Sequence, residues 1–396
     1  GFATAETATG LRMLQTGELA SQLAYLTTAN VGWMGSASSS AGWTVNSLVL
    51  GPGASVGAGW WTGQTNVTSG GVMALSGAST ISNGYLRPGT NNPLTIHTLG
   101  DLTISAAIQG VGNQGGLTKS GPGVLTISRP MQMNAMTSVN QGTLRFGVDN
   151  AFRVETLGNA INLTALAVSG TGVVDLAGRT QMVDRLVSNT PAVANYTAYG
   201  ATGGTITSSS GIGTIVVRNS TNDRISTQFA GGASLVKAGT GNLDMVGEST
   251  ATQPLVVRAG AVRFLDGGKY GASVYDLMQG TLQLDNTGLG AVSNRLPATA
   301  TVRINGGTLR MDAAPGDVTT QRLGALEVAG GLSTLQLNPA AFSGSATLTV
   351  DQLVRTGAGV LNLAANANGL GKTMLASGVL NLPAVVQNLG ATTTFS

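Results

Sequence analysis

Leu117-Thr-Lys-Ser-Gly-Pro-Gly-Val-Leu-Thr-Ile127 returns twice without gaps, as Leu235-Val-Lys-Ala-Gly-Thr-Gly-Asn-Leu-Asp-Met245 and as Leu353-Val-Arg-Thr-Gly-Ala-Gly-Val-Leu-Asn-Leu363. Both intervals are 118 residues (235 − 117 and 353 − 235). The match resumes in the same frame at Val139-Asn-Gln-Gly-Thr-Leu-Arg-Phe146, Val257-Arg-Ala-Gly-Ala-Val-Arg-Phe264 and Leu375-Ala-Ser-Gly-Val-Leu-Asn-Leu382. Self-similarity at a fixed interval marks an array of stacked units. Each copy reads as strand, Gly-x-Gly turn, strand, polar turn, strand, with apolar residues two apart, the spacing that buries one face of a strand. Leu125, Leu243 and Leu361 are therefore predicted to be buried at equivalent corners. A coil of such a stack takes about 20 to 25 residues, so one interval holds about five or six coils.

Further Gly-Thr-Leu units at Gly142 to Leu144, Gly280 to Leu282 and Gly307 to Leu309 extend the same pattern between the copies. The fold expected is all-β: a parallel β-helix, or β-solenoid, over residues 66–396, with three modules whose core motifs are 117–146, 235–264 and 353–382. Composition agrees. Charged residues are 9% of the chain, far below the roughly 25% of an ordinary globular domain, so the surface must be solvated by Ser, Thr, Asn and backbone. Disordered chains share the low charge but lack recurring Leu, Val and Ile. The formal charge of +3, from 20 cations against 17 anions, is too thin for a nucleic-acid partner, and no Lys/Arg block or basic-aromatic alternation occurs. No cysteine is present, which removes disulfides and thiolate metal sites. No apolar run is long enough to span a membrane as a helix.

The segments Gly116 to Ser128 and Val139 to Gly147 resemble the passenger-associated repeat of autotransporter proteins, also called the autotransporter-associated β-strand repeat. Val174-Asp-Leu-Ala-Gly-Arg-Thr-Gln181, followed by Gly204-Thr-Ile206, is similar to the aspartate-leucine segment between such repeats. The resemblance covers residues 80 to 385 and implies a right-handed parallel β-helix displayed outside a bacterial cell, usually joined to a C-terminal outer-membrane barrel. The C-terminal third has few aromatics and no succession of long amphipathic strands, so the chain reads as a fragment, a processed passenger or a relative that uses the repeat differently. The chain opens at Gly1 without a charged and apolar leader, which is the pattern of an exported protein whose signal peptide has been removed.

The first 65 residues read differently, as a small cap or assembly region. Leu11, Leu14, Leu19, Leu23 and Leu26 fall near helical spacing, with Arg12, Gln15, Glu18 and Gln22 on another face, which predicts a short helix within Thr9 to Ala29. All four tryptophans, Trp33, Trp43, Trp60 and Trp61, follow in a Gly/Ser-rich window. They are either the seal on the first coil, which solenoids need, or an aromatic surface for a partner or sugar.

Little in the chain can carry catalysis. The lone imidazole, His97, sits in the alternating run Leu94-Thr-Ile-His-Thr-Leu99 without recognisable partners. Gly110-Val-Gly-Asn-Gln-Gly115 has the letters of a dinucleotide loop, but a repeat strand follows where a helix is required. Gly369-Leu-Gly-Lys-Thr373 lacks the first glycine of a phosphate loop, since Asn366 stands there. The nearest acid pairs, Asp312 with Asp317 and Asp175 with Asp184, read as turn caps. No catalytic, cofactor or metal residue is therefore assigned. The one charged position retained in all three copies is Lys119, Lys237 and Arg355, read either as a donor to turn carbonyls left open by the glycines or as a basic row meeting acidic glycans or a neighbouring fibre.

The function expected is a non-enzymatic extracellular stalk, on the cell surface or in a filament. The alternatives are a glycan-binding adhesin and a polysaccharide-degrading β-helix enzyme. Its partners would be copies of itself end to end, a continuation of a longer chain, or glycans and neighbouring surfaces. Phe2, the four tryptophans and Phe395 are the candidate contacts.

Overall fold

The computed structural model describes residues 3–6, 10–13, 19–21, 25–59, 63–110, 115–133, 135–152, 154–155, 161–162, 164–188, 203–339, 345–364 and 377–381. They contain strands, turns and no helix. The chain divides into two compact units, Gly1–Asp184 and Arg185–Ser396. Each is a parallel β-solenoid. The antiparallel pairs are small: Ala3–Glu6 with Gly10–Met13, and Val154–Glu155 with Ile161–Asn162, both in the first unit.

In the first unit one interior column runs Val56, Ile81, Ile104, Ile127, Phe146, each the register partner of the next. A second runs Leu102, Leu125, Leu144, Val174. All of these side chains are fully buried. Because side chains alternate along a strand, the residues between them face outward and stack into columns of their own: Ser55, Thr80, Thr103 and Thr126 are successive partners. Thr80 Oγ1 donates to Ser55 Oγ at 2.9 Å.

The second unit is built the same way. Leu235 partners Leu255, then Tyr275, Val302, Leu326 and Leu353. The 118-residue interval is thus five stacked coils here. The neighbouring column starts at Leu243 and passes through Val262, Leu282, Leu309 and Leu335 to Leu363. It ends two residues later than the repeat predicts. Leu361 partners Ser333 and is only half-buried, whereas Leu125 and Leu243 are completely buried. The coils between have lengthened unequally on the two faces, so the third copy is out of step by one inward pair. Inside this unit Tyr270 lies against Phe229 and Phe264, with ring centroids 5.7 and 6.5 Å apart.

Two expectations for the N-terminal region change. Leu11 lies in the strand Gly10–Met13 and Leu26 in the strand Tyr25–Trp33, so neither is helical; Leu14 and Leu23 lie outside the described residues. Helical leucine spacing loses to Thr27, Thr28 and Val31, which are β-branched and disfavour helix, and to the ladder offered by Gly42–Leu50, where Leu26 partners Val45 and Val31 partners Leu48. The ladder also ignores the boundary at residue 66. Gly42–Leu50 pairs in parallel with Gln64–Ala74, and Ser36–Ser39 with Ser55–Ala58.

Coils approach so closely at the corners that a side chain has no room. A Cβ on Gly123 would collide with the carbonyl oxygen of Gly100, one on Gly100 with that of Gly77, and one on Gly142 with that of Gly121. The same collision occurs in the second unit between Gly241 and Thr221 O and between Gly260 and Gly241 O. Replacing Gly241 by Ala should cost about 1–3 kcal/mol or more, the range for overpacking. Gly35→Ala, whose methyl would meet the Trp33 ring at an ordinary 3.7 Å, should stay within about 0.5 kcal/mol of the parent. Urea unfolding of the two variants checks this, and equal midpoints would contradict the close approach.

Candidate functional site

The recurrent cations stand inside the solenoid. Strand alternation places Leu117 and Lys119 on the inner face of Leu117–Ser120, and Lys119 sits in a column between Ile96 and Val139. Lys237 sits between Val217 and Val257. Both side chains are fully buried. A buried ammonium has to spend all three of its N–H donors, and the corner supplies the acceptors. Lys119 Nζ donates to the carbonyls of Ser120, Gly121 and Gln141 at 3.0, 2.7 and 2.9 Å. Lys237 Nζ donates to those of Ala238, Gly239 and Ala259 at 3.1, 2.7 and 3.4 Å.

The carbonyls are available because Gly121 and Gly239 turn the chain with φ of 78° and 89°, a region costly for other residues. The first two carbonyls belong to the lysine's own turn and the third to the next coil, so each lysine ties two coils together. From Val257 the same column runs through Leu277, Ile304 and Val328 to Arg355. Arg355 is half-buried, and its Nε is buried without a hydrogen-bond partner. An exposed basic row is not what these three positions make.

A second polar assembly lies on the outward side of the second unit. Arg224, Asp244, Arg263, Gln283, Arg310 and Gln336 are successive register partners, as are Asp285, Asp312 and Asn338. Arg263 Nε donates to Asp244 Oδ1 at 2.6 Å, and this bond, opposed by burial, raises the guanidinium above its usual value. Gln283 Nε2 bridges Asp285 and Asp312 at 3.1 and 2.8 Å. Asp312 also accepts from Arg310 Nε at 2.9 Å and from Asn338 Nδ2 at 2.7 Å. These three aspartates are each 5% exposed, and each accepts at least two bonds from N–H or O–H donors.

This ladder escaped the sequence reading, which paired Asp312 with Asp317 and Asp175 with Asp184. Asp317 is exposed in a turn, and Asp184 is exposed as well. Asp175 does cap a turn, accepting from Ala177 N at 3.0 Å, and also binds Arg145 Nε at 2.8 Å. The missed signal was an outward position recurring once per coil. His97 is half-buried beside Ser120 Oγ at 3.0 Å, and burial, followed by the charge of Lys119, lowers its pKa. Trp43 Nε1 donates to Gly57 O at 3.1 Å, tying Trp43 to the next coil, while Trp33 is half-buried at the end of its strand. Phe2, Trp60, Trp61, Phe395, Val111 to Gln114 and Gly369 to Thr373 lie outside the described residues.

Comparison with known proteins yields no match to a family model, to a curated protein or to a solved structure.

Burial pulls both lysines down to about 8 from their ordinary 10.5, with Asp223 partly opposing this at Lys237. Between those values the unfolded chain carries more protons than the folded one, so stability should rise as pH goes from about 8 towards 10. Burial pushes Tyr270 and Tyr275 far above their ordinary 10.0, so above about pH 10 the unfolded chain releases protons first and stability should fall. Urea midpoints measured from pH 7 to 11 should show this rise and fall. The double variant K119M/K237M should lose the rise and keep the fall; a rise that survives in it would contradict the lysine assignment.

Proposed function

We propose that this chain is a non-enzymatic extracellular structural protein, a bacterial surface or filament-forming β-solenoid stalk of the autotransporter-passenger kind. On this reading it is exported, loses its signal peptide, and works by holding a long side-chain array rigid, either joined to further copies end to end or continued in a longer chain. The observation that carries the reading is the use made of charge. In a chain with few charged residues, the buried lysines and the ladder aspartates Asp244 and Asp312 are engaged in joining one coil to the next. The autotransporter assignment rests on the likeness of residues 116–128 and 139–147 to the passenger-associated repeat.

The purified chain should turn over no ester, peptide, phosphate or polysaccharide, and antibodies to it should label intact cells that make it. Turnover that vanishes in D312N or D244N would overturn the non-enzymatic reading. Labelling that requires permeabilised cells would overturn the surface location.

A glycan-binding adhesin is the second reading, favoured by the outward hydroxyl column Ser55, Thr80, Thr103 and Thr126. Hydroxyls on neighbouring coils recur about every 4.8 Å, a spacing suited to repeated sugar contacts. Binding to a polysaccharide array should then drop at least tenfold in T103V/T126V; unchanged binding in that variant would remove the column from the site.

A further inference from the structure

The third copy of the repeat leaves two needs unmet that the first two copies satisfy. Lys119 reaches the carbonyl of Gln141 and Lys237 that of Ala259, each 22 residues downstream. The same step from Arg355 ends at Ser377. Arg355 Nε is buried and unpartnered, and an unpaired buried donor is costly. The second need lies on the adjoining strand. Leu125 is covered by its partner Leu144, and Leu243 by Val262. Val360–Ala364 stands last in its sheet with a strand on one side among the described residues. There Leu361 and Leu363 are half-buried and Val360 is 60% exposed.

One segment answers both needs. The step from Leu125 to Leu144 and from Leu243 to Val262 leads from Leu361 to Leu380. It also sets Val379 beside Val360. In the structure Ser377–Asn381 is paired elsewhere, on Ser345–Thr349, with Leu380 beside Leu348 and Asn381 beside Thr349.

We propose that residues 377–381 have a second seat on the open edge of Val360–Ala364, in the register Leu361 to Leu380, with the Ser377 carbonyl accepting from Arg355. The occupant of that edge is this chain's own strand. In the second seat the third module repeats the cation closure and the apolar cover of the first two. Taking that seat frees the edge of Ser345–Thr349, so one strand decides which of two edges is open. An open edge is a template for further pairing, and the two seats therefore offer a neighbour different surfaces.

The absence of cysteine makes a disulfide test clean. Parallel neighbours lie about 4.8 Å apart, inside the Cα range that a disulfide spans. N381C combined with N362C reports the second seat, and N381C combined with T349C reports the seat described. All three positions are polar, so neither pair disturbs the apolar core, and single N381C controls for background. After mild oxidation of the full chain, N362C/N381C should close within one chain, seen as a monomer that migrates faster on a non-reducing gel, and T349C/N381C should close as well. Closure of T349C/N381C alone would overturn the proposal. So would N362C/N381C closing only between chains, which would make a second copy the occupant, or closure of neither pair.

Discussion

Each coil of a parallel solenoid has to hydrogen-bond to the next one at its corners as well as along its strands. Ala238 N donates to Val217 O at 2.7 Å, Gly241 N to Asn219 O at 3.0 Å and Arg258 N to Lys237 O at 2.8 Å, all at one turn of the second unit. Corners this close exclude Cβ atoms on the facing side, which is why glycines stack there. They also leave carbonyls pointing inward that strand pairing does not use, and a buried carbonyl without a donor costs free energy. Lysine solves this with an apolar stem that fits the aliphatic column and a head with three donors. Glycine and lysine at these corners are two consequences of the same requirement.

The outer faces follow from the same stacking. Once coils are locked in register, any outward position becomes a column whose members touch above and below. Like charges in such a column repel and complementary ones support each other. The first unit fills a column with hydroxyls, and the second alternates Arg224, Asp244, Arg263, Gln283 and Arg310. Exposed Arg–Asp pairs stabilise little, and these arginines remain partly in water, so the column acts mainly to fix register. Its one acid, Asp244, is tied to Arg263 on the next coil.

The repeat, the two-residue alternation and the glycine corners were legible in the sequence because each is local: a turn and its strands lie within about a dozen residues. The columns were not. Leu235 and Leu255 are neighbours, and so are Tyr275 and Val302, yet the first pair is 20 residues apart and the second 27. Without the coil lengths, Asp285, Asp312 and Asn338 cannot be counted into one line. Variable coil length also displaced Leu361 from its predicted corner. At the N-terminus, Leu26 sat on a strand whose partner lay in the next coil, so a local pattern gave way there to non-local pairing. The lysines were half legible: their recurrence and their donation to turn carbonyls could be read, whereas their burial between aliphatic neighbours could not.

Amide hydrogen exchange at the Lys237 corner tests most directly whether the turns belong to the ladder. If they do, the amides of Ala238 and Gly241 in the parent protein exchange as slowly as those of Val236 and Leu243 in the adjoining strands, and K237M speeds the turn amides while the strand amides stay slow. Turn amides that exchange within seconds in the parent protein, while the strands remain protected, would contradict the account.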